Sequence, residues 1–149
     1  MSQSPQSPTI FIGSDHAGFS LKSAIVEFLK SAGYDVTDLG THSAESCDYP
    51  QSAQAVCKAV LEKNATGILI CGTGIGMSIS ANRFKGIRAA MCTHEFHARA
   101  TRQHNNANVL CMGERVTAPG LAVELVKTFL NTGYEGGRHQ RRIELIDKI

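Results

Sequence analysis

Five short apolar runs, each followed by a helical pattern, constrain this chain more than any other feature of its sequence. The clearest is Gly67-Ile68-Leu69-Ile70-Cys71, apolar throughout with no polar alternation, as expected of a strand covered on both faces. A glycine turn leads from it into a helix reaching about Arg83. Thr9 to Gly13 reads as an earlier strand. The helix after it runs from about Gly18 to Ala32, with Leu21, Ala24, Ile25, Phe28 and Leu29 on one face and Gly33 at its end. Tyr34 to Asp38 forms a weaker strand. After a loop from about Gly40 to Tyr49, Pro50 opens a helix carrying Ala53, Val56, Val60 and Leu61. Ile87 to Cys92 is the next strand, and Thr93 caps a helix from about His94 to Gln103. Val109 to Met112 is the fifth strand. Pro119 starts a helix ending near Gly133, and a last helix runs from about Arg138 to the end.

This alternation predicts an α/β fold: a three-layer, Rossmann-like arrangement with a five-stranded parallel sheet and helices on both faces. At 149 residues the chain is one domain, here 9–149, with no internal repeat. Residues 1–8 are polar, carry two prolines and lack the basic start and apolar core of a secretion signal, so a loose tail is expected there. No apolar run approaches the roughly 20 residues that span a bilayer. The net charge of +2 speaks against a general nucleic-acid or membrane-surface role. The five cysteines are odd in number and form no C-x-x-C pair, which disfavours a disulfide framework or structural zinc and suits a reducing cytoplasm.

Ligands of open α/β sheets sit outside the carboxyl ends of the strands. Cys71 ends a strand there, and Gly72-Thr73-Gly74-Ile75-Gly76 leads straight into a helix. Backbone N–H groups of such a turn bind anions, and a cysteine beside them has enhanced thiolate character. The same donors can hold an oxygen that becomes negative during proton abstraction. A dinucleotide fingerprint is not met, because Met77 stands where its last glycine belongs. Spacing alone leaves two readings of Cys71 open, a working thiol and a buried cysteine beside a tight turn.

Asp15 and His16 follow the first strand, where they can orient hydroxyls or bind phosphate, or where Ser14 or Asp15 can simply cap a helix. His104-Asn105-Asn106 closes the fourth helix, whose negative end favours an imidazolium; a plain helix cap by Asn105 or Asn106 is the other reading. His94 and His97, three apart, lack a third ligand and read as surface or lining residues. Arg138 and Arg142 share a helical face in the first turns of the last helix, where positive charge opposes the dipole. An anion between them would relieve this; a solvated basic tail is the alternative, and Arg141 has Glu144 within pairing distance along the helix.

With these residues laid out, the chain resembles the type B ribose-5-phosphate isomerases, whose wider family includes galactose-6-phosphate isomerase. The resemblance runs nearly from Thr9 to the end. It rests on Gly13-Ser14-Asp15-His16-Ala17-Gly18, Asp48-Tyr49-Pro50 and Ile70-Cys71-Gly72-Thr73-Gly74-Ile75-Gly76. It continues through Arg102-Gln103-His104-Asn105, Asn108-Val109-Leu110, Gly113-Glu114-Arg115-Val116 and Tyr134-Glu135-Gly136-Gly137-Arg138-His139. The resemblance implies interconversion of ribose 5-phosphate and ribulose 5-phosphate, a pentose phosphate pathway step. Cys71 would move the proton between C1 and C2, and the amides from Gly72 through Ser78, those of Gly74, Ile75 and Gly76 included, would hold the enediolate. His104 would open the sugar ring with Thr73 assisting, while Asp15 and Asn105 would contact hydroxyls. His16, Arg115, Arg138 and Arg142 would hold the phosphate. It further implies no metal or organic cofactor, and a homodimer or dimer of dimers whose sites draw on two subunits, with the last helix able to cross to a neighbour. Two alternatives stay open: a six-carbon substrate such as allose or galactose 6-phosphate, and, from another class, a nucleotide- or RNA-binding domain. Cys92 and Cys111 are expected to pack at strand ends.

Overall fold

In the computed structural model, which describes residues 8–149, the five apolar runs form one all-parallel sheet. Its strands are β1 (Ile10–Ser14), β2 (Val36–Asp38), β3 (Thr66–Cys71), β4 (Ala89–Met91) and β5 (Val109–Gly113), in the order β2-β1-β3-β5-β4. The three-layer α/β expectation holds. Of the loose tail expected over 1–8, all but Pro8 falls outside the described residues.

Side-chain alternation along β3 shows why a continuous apolar run was needed. Ile68 and Ile70 enter one core with Ile10 and Ile12 of β1, Leu110 and Met112 of β5, and the helices α1 (Phe19–Ser31) and α5 (Pro119–Asn131). Leu69 and Cys71 enter the other, with Val109 and Cys111, under α2 (Tyr49–Lys63) and α3 (Ile75–Ala81). Period-two geometry buries both faces from Gly67 to Cys71, so only the first position of the strand, Thr66, is left for a polar side chain. The fourth helix, α4 (Glu95–Asn105), packs on α5 through the buried Ala98. The last, α6 (Arg138–Ile146), lies against α4 of its own chain and buries His139 and Ile143.

Several local expectations are corrected. The helix start after β4 is His94, without a side-chain cap; the Thr93 hydroxyl instead meets His94 Nδ1 at 2.8 Å. β4 is shorter than expected because Arg88 N–H donates to Asn108 Oδ1 and Ile87 N–H to the Phe84 carbonyl, outside the ladder. Leu61 is exposed, not on the buried face of α2. Cys111 lies inside β5 and not at its end. Arg141 forms no ion pair with Glu144 among the described residues; Gln140 reaches that carboxylate instead. No helix among the described residues is long and apolar enough to cross a membrane.

One polar contact inside the fold has a positioning role. Lys22 of α1 is fully buried, 2.7 Å from the Asp38 carboxylate, and also donates to the Thr41 carbonyl. Asp38 accepts from Gly40 N–H as well. The chain after β2 is thereby held beside the end of β1, where Ser14 and Gly40–Thr41 exchange backbone hydrogen bonds immediately before Asp15.

Candidate active site

From β1 the chain moves outward to β2, then returns across β1 to β3 and continues the other way. The carboxyl ends of β1 and β3 therefore flank a topological switch point, the place where such sheets leave a crevice. A cavity of about 440 Å³ opens there. Eight residues singled out from the sequence line it: Asp15, His16, Cys71, Gly72, Thr73, Ile75, Gly76 and Arg115. A larger hollow of about 610 Å³ lies along the flank of α1, away from the glycine turn.

The turn is built around the sulfur. Cys71 is only 4% exposed, yet its side chain reaches the cavity, and Gly74 N–H donates to Sγ at 3.1 Å. Gly74 adopts φ +84°, and a Cβ there would meet the Met112 backbone at 2.9 Å, so glycine is required to aim that N–H. Thr73 Oγ1 accepts from Ile75 N–H at 3.2 Å. Not every amide from Gly72 to Ser78 is available to a ligand. Ser78 N–H donates to the Gly74 carbonyl, and its hydroxyl to the Ile75 carbonyl. Gly76, second in α3, has an N–H with no intrahelical acceptor and lines the cavity. Because α3 ends at Ala81, short of the expected Arg83, its seven residues supply a small dipole, which leaves the individual N–H groups of the turn as the main donors an anion could meet.

Around this turn the other groups are fixed one by one. Asp15 caps the 3-10 turn His16–Gly18, accepting from Gly18 N–H at 3.1 Å through Oδ1. The capping reading and the cavity position therefore hold together. Cys47 N–H donates to His16 Nδ1 at 3.2 Å, which leaves the proton on Nε2 as a donor. Arg115 N–H donates to the Gly72 carbonyl, and Glu114 N–H to that of Cys71, seating the guanidinium beside the glycine turn. Glu114 Oε1 also accepts from Leu21 N–H at 2.6 Å, so it caps α1 from 93 residues away.

Sequence reasoning passed over three lining residues, Ala17, Tyr49 and Ile79. Tyr49 opens α2 one residue before Pro50, and its ring covers Gly76, where a Cβ would lie 2.7 Å from Cε2. An aromatic residue beside the proline that starts a helix was the available signal. Ile79 sits four residues after Ile75; both line the cavity, at 62% and 50% exposure.

Four other candidates do not join the cavity of their own chain. α4 runs from the carboxyl end of β4 back to the amino end of β5, so His104 and Asn105 emerge at the opposite edge of the sheet. There the Asn105 carbonyl accepts from Arg88 Nε at 2.8 Å, just before β4. Arg138 and Arg142 lie on the exposed side of α6, which packs against α4. Strands of five residues separate the two edges by roughly 17 Å at about 3.3 Å per residue. Also at this second edge, ligand atoms of His104, Glu135 and His139 lie within 4.8 Å of one another.

Burial distinguishes the remaining thiols. It pushes Cys57 up to about 12 and Cys92 up to about 11 from an ordinary 9.0, and drives Cys111 well above that value, with neighbouring sulfurs adding to the effect.

A thiol, an imidazole donor and a guanidinium around a glycine turn, at the switch point of a parallel sheet, define an α/β site for a small anionic ligand. The comparisons make this particular. The family described as ribose/galactose isomerase matches residues 10–146. Ribose-5-phosphate isomerase B of Escherichia coli (strain K12) is 50% identical over 141 residues, covering 94% of this chain and 95% of that protein. The solved ribose-5-phosphate isomerase B of Clostridium thermocellum superposes with a TM-score of 0.93 at 50% identity, covering 94% of this chain and 95% of the other. That of Mycoplasma genitalium, with bound ribulose-5-phosphate, gives 0.91 at 44% identity over 94% of each chain. The chain belongs to the ribose/galactose isomerase family.

Proposed function

We propose that this chain interconverts ribose 5-phosphate and ribulose 5-phosphate through an enediolate, with Cys71 as the base. The observation that carries the reading is the Cys71 sulfur, reached by Gly74 N–H at 3.1 Å and opening on the same cavity as His16 and Arg115. A thiolate there takes the C2 proton of the open-chain aldose, and the electron pair moves through C1 onto the carbonyl oxygen. In this reading the N–H of Gly76, a residue that lines the cavity, stabilises that negative oxygen. The proton then returns to C1, and Asp15 passes the hydroxyl proton between the two oxygens. A general base of this kind contributes about 10²–10⁴-fold. No metal or organic cofactor enters the scheme.

His104 opens the ring with Thr73 assisting, Asn105 contacts hydroxyls, and Arg138 and Arg142 join His16 and Arg115 on the phosphate. In this reading His104, Asn105, Arg138 and Arg142 belong to a second copy, because one chain holds them at the far end of its sheet. The exposed apolar side chains beside the cavity, Ile75 and Ile79, support a homodimer that covers them. A dimer of dimers would extend the same interface. A cytoplasmic setting suits five free thiols. The names of the relatives, and the ribulose-5-phosphate bound to one of them, support the five-carbon substrate over a six-carbon one and over nucleotide or RNA binding.

The test is purified protein with a panel of five- and six-carbon aldose phosphates, with and without chelator. Ribose 5-phosphate should turn over fastest and chelator should change nothing; no turnover of ribose 5-phosphate ends the reading. Cys71→Ser should stay folded and lose about 10²-fold or more in kcat.

A further inference from the structure

The sequence presents His139 only as one member of a basic cluster, yet it is the buried one, 6% exposed, while Arg138, Arg141 and Arg142 are exposed. Its ring stacks on that of His104, with centroids 4.5 Å apart and planes 18° apart. Its Nε2 lies 3.5 Å from the Glu135 carboxylate, near enough for an ion pair but without hydrogen-bond geometry. Glu135 is itself tied to α4, because its N–H donates to the carbonyl of Gln103, the residue before His104. The last turn of α4, Glu135 and the first turn of α6 thus form one unit around the His104 ring.

A cluster of two imidazoles and a carboxylate invites a metal-site reading, and the stacking argues against it. A zinc ion holds its ligands at about 2.0–2.1 Å and needs their lone pairs to converge on one point. Nearly parallel stacked rings direct in-plane lone pairs side by side.

The geometry points to His139 as a positioning residue for His104: its flat ring is the platform that fixes the plane of the His104 imidazole, and Glu135 holds the platform. This rests on the ring-opening role proposed for His104. Such an acid–base must come within about 2.6–3.2 Å of the sugar ring oxygen, and an imidazole that swings loses that alignment. Among the described residues His104 makes no side-chain hydrogen bond, so the stack is the contact that orients it.

The test separates ring opening from proton abstraction. Ribulose 5-phosphate is open-chain, because its C5 oxygen carries the phosphate and no five- or six-membered ring can close. Exchange of its C1 proton with deuterium from solvent therefore needs the Cys71 base but no ring opening, and proton NMR follows it directly. His139→Leu keeps the volume and removes the flat face; His139→Phe keeps the flat face. His139→Leu should lower kcat on ribose 5-phosphate about tenfold while C1 exchange stays within about twofold of the parent, and His139→Phe should recover most of the loss. Glu135→Ala, a surface change that leaves folding intact, should show the same split at about threefold. Equal loss of turnover and exchange, a His139→Phe no better than His139→Leu, or unchanged turnover in all three variants would overturn the proposal. His104→Ala is the control. If it turns over ribose 5-phosphate normally, the ring-opening assignment itself fails; if it shows the split and the His139 variants do not, only the platform fails.

Discussion

With their thiols pushed up to about 12 and about 11 by burial, Cys57 and Cys92 are neutral hydrophobes near neutral pH, and Cys111 is more so. Cys71 differs in facing a cavity and an aimed N–H, and Cys47 in being half-buried on a loop. In a Cys47→Ser background, iodoacetamide should label Cys71 alone, abolish turnover and be slowed by the sugar phosphate; peptide mapping reads the site. The buried thiols also set a limit at alkaline pH. Their folded-state values lie above the unfolded one near 9.0, so their stabilisation is complete below about pH 9 and lost as pH rises towards 12. Urea midpoints should fall between about pH 8 and about pH 11, and less steeply in a Cys57→Ala, Cys92→Ala double variant. From the sequence Cys71 could be placed at a strand end, but not told apart from a structural cysteine. That distinction depends on the φ of Gly74 and on residues that follow β1 and β5, which no local spacing encodes.

Between α1 and β2 the element-scale contact is a buried charge. Asp38→Ala leaves the Lys22 ammonium without its carboxylate and should cost about 2 kcal/mol, less than a fully buried pair because Asp38 is 30% exposed. Lys22→Met removes the charge at similar length and should cost less than Asp38→Ala, as equilibrium denaturation of the two would show. Long elements were legible because their periodicity spans many residues: α1, α5 and the start of α2 lie within a residue or two of expectation. Edges were not. β4 lies at the sheet border, where the Asn82 side chain both donates to and accepts from Ala89, a side-chain substitute for a strand partner that no apolar pattern announces. Lys22 was unreadable for the same reason, since its partner is the last residue of β2, 16 residues on.

Across the whole molecule, the candidate residues divide between the two ends of one sheet. All of them were found in the sequence, but the division was not, because it follows from the direction in which α4 crosses the sheet. The two-copy reading makes a sharp prediction. Cys71→Ser and His104→Ala proteins, each inactive on ribose 5-phosphate, should regain activity when unfolded together and refolded. Random pairing makes half the dimers hybrids with one intact site each, or about a quarter of normal activity. No recovery would return His104 to its own chain.

The path of α4 from one edge of the sheet to the other has a consequence for the newly made chain. On the proposed reading a solitary copy carries a thiol without its ring opener and a ring opener without its thiol, so it is dormant however well it folds. Catalysis would then begin at the moment two copies meet, and dilution alone would switch it off.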